Sequence, residues 1–97
     1  MVKLRTAPED VHIFKKGKAE KLSDNFISTE FDCKCGLLDC QRTVISRQLV
    51  DRLEDLRVYM ENDPIVITAG YRCAAHNSDV KGVPDSLHIL GLAVDIL

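Results

Sequence analysis

The clearest pattern of apolar and polar positions in the chain lies between Ser46 and Asn62. Apolar side chains recur there at helical spacing, at Leu49, Leu53, Leu56 and Met60. Ser46 is a suitable N-cap residue, and Ile45 before it can pack against Val50 as a hydrophobic staple. Pro64 disfavours helical backbone in the residue before it. The pattern predicts a helix over 46–62 with one face in the core.

Two short apolar runs predict strands. Ile65–Thr68 is β-branched and continuous, which is typical of a buried strand. Ala93–Leu97 is predicted as a second strand, in which Ala93, Asp95 and Leu97 share one face. A third apolar run, Val11–Phe14, is either a short strand or a docking contact.

Shorter elements are predicted around these. Ser28 is a candidate cap for a helical turn over 28–31. Gly36 is the expected tight-turn residue of the loop over 33–40. Ala74–Val80 is predicted as a short helix that ends at Gly82, followed by a loop over 82–85.

Composition limits the class of protein. With 97 residues, 45% hydrophobic and 29% charged, the chain fits one soluble domain and neither a disordered nor a low-complexity protein. Its apolar runs are far shorter than the about 20 residues of a membrane span. The net charge of -2 gives no reason to expect nucleic acid or a membrane as partner, and we expect a monomer. The start of the chain has no apolar signal segment, so we expect cytoplasmic synthesis.

Basic side chains are concentrated near the start of the chain. Residues 1–22 carry more lysine and arginine than acidic residues, whereas residues 23–97 are net acidic. The basic segment can contact phosphates or an anionic cell-wall polymer. It has no aromatic residues spaced to stack on bases. We therefore favour a solvated, partly ordered arm over 1–22 and a domain over 23–97.

Four cysteines admit two interpretations. Without a signal segment a disulfide framework is disfavoured. If the downstream cysteine folds back onto the other three, the four thiolates can hold a structural metal, although a C-x-C pair is tighter than usual for zinc. Alternatively they are free thiols packed as small apolar side chains. The four residues are Cys33, Cys35, Cys40 and Cys73.

A histidine and an aspartate are placed to meet near the end of the chain. Asp95 lies in an apolar strand, where an unpartnered carboxylate is costly. His88 precedes it by seven residues, with Gly91 between them as a turn. Imidazole nitrogen and carboxylate oxygen are both zinc ligands. The alternative is a His–Asp hydrogen bond that holds the loop to the strand.

Three stretches carry a resemblance to a known family. Residues 86–96 contain the motif S-x-H-x-x-G-x-A-x-D, residues 67–73 read ITAGYRC with His76-Asn77 after them, and residues 25–33 run from Asn25-Phe26 to Cys33. Together they resemble the zinc D-alanyl-D-alanine carboxypeptidase and peptidoglycan L,D-endopeptidase family, in its compact, phage-associated, endolysin-like branch. The resemblance covers about residues 23–97.

The resemblance implies a fold and a set of roles. The fold, shared with the hedgehog signalling domain, is α+β, with a small antiparallel sheet and helices on one side. His88 and Asp95 would bind zinc. Arg72 would face the scissile carbonyl or a substrate carboxylate, and Ser86 would contact substrate. His76 does not match a metal ligand and is expected to be structural or to support the site.

One part of the family pattern has no counterpart in the sequence. The third zinc ligand, a histidine, and a carboxylate general base follow the aspartate strand in the family, whereas this sequence ends at Leu97. We therefore expect the N-terminal part of a peptidase that acts on peptidoglycan peptides at the cell wall once released, with its last strands missing and the isolated chain inactive. The alternatives are a non-catalytic phage structural or wall-binding module that keeps the fold, and a cysteine–zinc interaction domain.

Overall fold

A computed structural model describes residues 2–5, 10–82 and 86–97 of the chain. Five strands and two α-helices follow one another: β1 (Val2–Arg5), β2 (Val11–Lys15), β3 (Arg42–Ser46), α1 (Arg47–Tyr59), β4 (Ile67–Ala69), α2 (Ala74–Asp79) and β5 (Ala93–Ile96). A short 3-10 helix, Ser28–Phe31, precedes β3. Apart from Gly82, the predicted loop over 82–85 lies outside the described residues. None of the helices in the described ranges has the length and apolar run of a membrane span.

The strands form two antiparallel sheets. β5 is the central strand of the first, with β1 on one side and β4 on the other. β2 and β3 form the second sheet. The α+β class and the antiparallel pairing are thus confirmed, and the expected single small sheet is replaced by two. An arrangement of the helices on one side of the sheet stays a prediction.

The central helix follows its local sequence signals at its start, but it ends at Tyr59 and not at Asn62, because Glu61 and Asn62 adopt left-handed backbone. α1 begins directly after Ser46, whose hydroxyl accepts a hydrogen bond from the Leu49 backbone N–H at 3.4 Å. Ile45 and Val50 lie together in the core, as the predicted staple requires. The expected cap at Ser28 was wrong, because Ile27 occupies the N-cap position of the 3-10 helix. The Ser28 hydroxyl instead accepts from the Glu20 N–H and donates to the Lys18 carbonyl, so it fastens the preceding chain.

The basic N-terminal segment contributes a strand to each sheet. Val11–Phe14 is part of β2, which settles the choice between strand and docking contact in favour of the strand. The side chains of β2 are mostly exposed, and its backbone is paired with β3. β3 was not predicted, because its apolar run is short and adjoins the cysteine loop. The domain boundary at residue 22 stays a prediction.

The main core lies where α1, β3 and β5 meet. Leu49 and Leu53 of α1 are fully buried, and Leu56 packs at the margin, as the apolar stripe predicts. Met60, at the end of the stripe, is 42% exposed. The buried members of this cluster are Phe26, Phe31, Ile45, Leu49, Val50, Leu53, Ile65, Val94 and Ile96.

Replacing Leu53 by alanine tests this core. Leu53 has no exposed surface, so the substitution leaves a cavity, and we expect the free energy of unfolding to fall by about 2–5 kcal/mol. Val58→Ala on the same helix is the control, because Val58 is 69% exposed and a change within about 0.5 kcal/mol is expected. Urea denaturation measures both, and equal losses would contradict this assignment of the buried face.

Candidate metal and substrate-binding site

The turn over residues 70–73 lies directly against the 3-10 helix. A Cβ atom on Gly70 would stand 2.6 Å from the Cα and 2.8 Å from the carbonyl oxygen of Phe31. The Tyr71 backbone N–H donates to that same carbonyl at 2.9 Å. Only glycine permits this approach of two backbones, which accounts for the glycine at the end of β4.

His88 is held by this turn. Its side chain has no exposed surface, and its Nδ1 lies 2.8 Å from the carbonyl oxygen of Gly70. A carbonyl oxygen only accepts hydrogen bonds, so Nδ1 carries the proton and donates it. A carbonyl partner of this kind fixes the tautomer and ring orientation of metal-binding histidines in general. The Nε2 atom of His88 is therefore directed toward Asp95.

His88 and Asp95 converge at one point. Nε2 lies 3.5 Å from the Asp95 Oδ1, and the Asp95 side chain is only 14% exposed. Two ligands bound to one zinc at about 2.0–2.1 Å with a tetrahedral angle stand roughly 3.3 Å apart. A His–Asp hydrogen bond is usually about 2.7–3.2 Å long. The observed separation meets the geometric condition for a shared metal, and the assignment of both residues as ligands stays a prediction.

Arg72 and Ser86 are joined to the histidine. The Arg72 Nη2 donates to the Ser86 hydroxyl oxygen at 3.4 Å, and the Arg72 backbone N–H donates to the His88 carbonyl at 3.2 Å. Ser86 is buried, and its hydroxyl oxygen also accepts from the His88 backbone N–H at 3.3 Å. The structure thus brings Arg72, Ser86, His88 and Asp95 into one connected arrangement.

A cleft of about 190 Å³ opens beside Arg72. Gly70, Lys34 and His76 also line it, and the Lys34 Nζ donates to the Thr68 carbonyl at 2.7 Å. His76 therefore lies on the same side of the turn as this cleft. Among the described residues, the only close group of three or more histidine, cysteine or acidic ligands is formed by the cysteines, so His76 does not complete a site with His88 and Asp95.

The cysteines converge at a separate place. Their sulfur atoms all lie within 4.8 Å of one another, and the Cys33 and Cys73 sulfurs are 3.7 Å apart. All four are free thiols, of which Cys33 and Cys40 are buried and Cys35 and Cys73 half-buried. Cys73 thus folds back onto the 33–40 loop, as the structural-metal interpretation of the four cysteines requires.

The cysteine thiols differ in acidity. The Leu37 backbone N–H, which donates to the Cys35 sulfur at 3.4 Å, lowers the pKa of Cys35 to about 6. Burial raises the pKa of Cys40 to about 12 and also raises that of Cys33. Cys35 is therefore the most acidic of these three thiols.

Lys16 is a residue that the sequence did not single out. Its Nζ donates to the Cys35 sulfur at 3.6 Å. Burial alone would lower the pKa of Lys16, but negative charge on Cys40 and Cys35 outweighs burial and raises it. Nothing in the sequence distinguishes Lys16 from its basic neighbours, because its position depends on the pairing of β2 with β3.

A known protein family matches most of this chain. The model of the Peptidase M15 family matches residues 23–97. The chain therefore belongs to the Peptidase M15 family, which confirms the resemblance found in the sequence. The comparisons with curated proteins and with solved structures find no match.

Gly70→Ala tests the role of the turn. The added methyl group meets the Phe31 backbone, so the turn must shift and the Gly70 carbonyl must move away from His88. We expect a loss of about 1–3 kcal/mol in the free energy of unfolding and displaced NMR signals of the His88 ring nitrogens. Gly17→Ala is the control. A Cβ atom at Gly17 would meet no other atom within 4 Å, so this substitution adds only the strain of left-handed backbone at φ +82°. Unchanged His88 signals in Gly70→Ala would disprove the positioning role.

Proposed function

We propose that the chain carries the site of a zinc metallopeptidase acting on peptidoglycan stem peptides, of the D-Ala-D-Ala carboxypeptidase or L-Ala-D-Glu endopeptidase type. The observation that carries the proposal is the connected arrangement of Arg72, Ser86, His88 and Asp95 in a chain of the Peptidase M15 family. The resemblance to the family implies a substrate role for Arg72 and Ser86 and a metal-binding role for His88 and Asp95.

His88 and Asp95 are the residues that would hold the zinc. Their facing atoms are 3.5 Å apart, and the Gly70 carbonyl keeps the proton of His88 on Nδ1. A zinc ion bound there supplies Lewis-acid activation of a water molecule and of a peptide carbonyl.

Arg72 binds and orients the substrate. Arg72 lines the cleft, and the Ser86 hydroxyl accepts a hydrogen bond from its guanidinium group, which orients that planar group. An oriented guanidinium can accept a substrate carboxylate in a two-point hydrogen bond or offset charge on the carbonyl oxygen. Lys34, on the same cleft, adds positive charge that favours an anionic peptide.

A second candidate is a binding module that keeps the fold without catalysis. The observation in its favour is that His88 and Asp95 gain no third histidine, cysteine or acidic ligand among the described residues, whereas catalytic zinc sites use three protein ligands. Such a module would bind stem peptides through Arg72 and leave them intact. Mass spectrometry of the peptide after incubation separates it from a peptidase.

Binding of two matched peptides to the zinc-loaded protein tests the proposal. One is a stem pentapeptide ending in a free D-Ala-D-Ala carboxylate, and the other is the same peptide with that carboxyl group amidated. If Arg72 pairs with the terminal carboxylate, the free peptide binds more tightly, and Arg72→Ala weakens its binding by roughly tenfold to a hundredfold, the value of a charge-assisted hydrogen bond.

The control variant removes a positive charge from a surface position outside the proposed site. Arg52 is exposed on α1, and Arg52→Ala should leave peptide binding unchanged. Equal binding of the free and amidated peptides, with both weakened by Arg72→Ala, would identify the endopeptidase type. No binding of either peptide, or no effect of Arg72→Ala, would contradict the proposed function.

A further inference from the structure

We propose that Cys33, Cys35, Cys40 and Cys73 together bind one zinc ion, which ties the 33–40 loop to the turn that carries Arg72. This site is structural and distinct from the His88–Asp95 pair. It does not depend on the peptidase function, because its ligands and its place in the fold stand on their own.

The spacing of the sulfur atoms fits a tetrahedral tetrathiolate site. Zn–S bonds of about 2.3 Å place the sulfurs of such a site about 3.8 Å apart. The observed separations reach at most 4.8 Å, and the Cys33–Cys73 pair stands at 3.7 Å. A disulfide needs about 2.05 Å between sulfurs, so no pair has collapsed into a bond.

Hydrogen-bond donors surround these sulfurs. The backbone N–H of Cys73 donates to the Cys33 sulfur at 3.4 Å, that of Leu37 to the Cys35 sulfur at 3.4 Å, and that of His76 to the Cys73 sulfur at 3.5 Å. Thiols are weak acceptors, whereas thiolates gain from such donors. These backbone donors are therefore placed to stabilise the sulfurs as thiolates once a metal binds them.

Lys16 adds a counter-charge to the cluster. A zinc ion with four thiolates carries a net charge of −2, which is costly at a half-buried place without compensation. The Lys16 ammonium group lies 3.6 Å from the Cys35 sulfur, so a cation from the turn after β2 stands next to the site. A purely apolar packing of thiols would gain nothing from that cation.

The second core of the protein is small. Its buried members are Cys33, Cys40, Val44 and Tyr71, with Cys35 and Cys73 packed against them. Two of the four buried side chains are thus thiols, which supply little apolar surface. Small cores of this kind are commonly stabilised by a metal or by disulfides. A cleft of about 390 Å³ lined by Cys40 and Cys73 gives an ion a path to the cluster.

The position of the cluster couples it to the peptide site. Cys73 follows Arg72 in the chain and caps α2 through its sulfur. Cys33 lies shortly after Phe31, whose backbone Gly70 and Tyr71 contact. A zinc ion on both cysteines therefore holds the two segments together immediately beyond the backbone contact, and its removal frees the end of the turn next to Arg72.

The zinc content of purified variants tests the site. The reduced protein is loaded with zinc, desalted and measured by plasma mass spectrometry. We expect about one tightly held ion in the unmodified chain and its loss in Cys73→Ser. Serine is a good N-cap residue, so this variant keeps the start of α2 while removing one sulfur ligand. Asp95→Asn, which alters the other candidate site, is the control and should keep the tightly held ion.

Cobalt substitution tests the ligands in the unmodified chain, whatever the folding of the variants. Cobalt bound by four thiolates gives intense sulfur-to-metal charge-transfer absorption and strong visible bands typical of tetrahedral coordination. Zinc should displace these bands and raise the melting temperature by at least roughly 10 °C over the metal-free chain, because ion binding is coupled to folding.

Three results would overturn the proposal. One is a reduced protein that retains no zinc after desalting. Another is a cobalt spectrum without charge-transfer bands, which would place the metal on nitrogen and oxygen ligands. The last is Cys73→Ser protein that retains the tightly held ion while Asp95→Asn loses it.

Discussion

The backbone contact between Gly70 and Phe31 is the constraint on which the site depends. With no side chain at Gly70, the turn after β4 lies against the 3-10 helix, and the Tyr71 N–H reaches the Phe31 carbonyl at 2.9 Å. Phe31 is fully buried in the main core, so this contact fixes the turn relative to the rest of the protein. The Gly70 carbonyl, the Arg72 side chain and Cys73 are all positioned by this turn.

The two proposed sites lie at opposite ends of that turn. At its start, the Gly70 carbonyl holds the Nδ1 proton of His88 and thereby directs Nε2 toward Asp95. At its end, Arg72 reaches Ser86, and Cys73 reaches the sulfur of Cys33. The proposed peptidase site and the proposed structural zinc site thus share one rigid segment, although their ligands differ in chemistry. Metal at the cysteines would stabilise the same turn that orients the histidine.

The parts of the fold that could be predicted are those set by neighbouring residues. α1 was readable because its apolar spacing, its Ser46 cap and Pro64 agree, and β5 because its apolar run is bounded by a glycine turn. The convergence of His88 with Asp95 followed from a motif of ten residues, 86–95. These features need no knowledge of distant parts of the chain.

The parts that were missed depend on contacts between distant residues. β3 forms through pairing with β2, about thirty residues earlier, and the same pairing brings Lys16 to the cysteines. Ser28 was predicted as a cap from its residue type, but its hydroxyl bonds to Glu20 and Lys18, which no local pattern reveals. The number of sheets likewise depends on strand pairing, which composition and periodicity do not determine.

The protonation of His88 tests the account most directly. Long-range proton–nitrogen NMR of the metal-free protein should show His88 with its proton on Nδ1, and adding zinc should shift its Nε2 signal while His12 and the ring of His76 serve as internal references. This is expected because the Gly70 carbonyl, 2.8 Å from Nδ1, accepts that proton. A neutral His88 with its proton on Nε2, or an Nε2 signal that zinc leaves unchanged, would contradict the account.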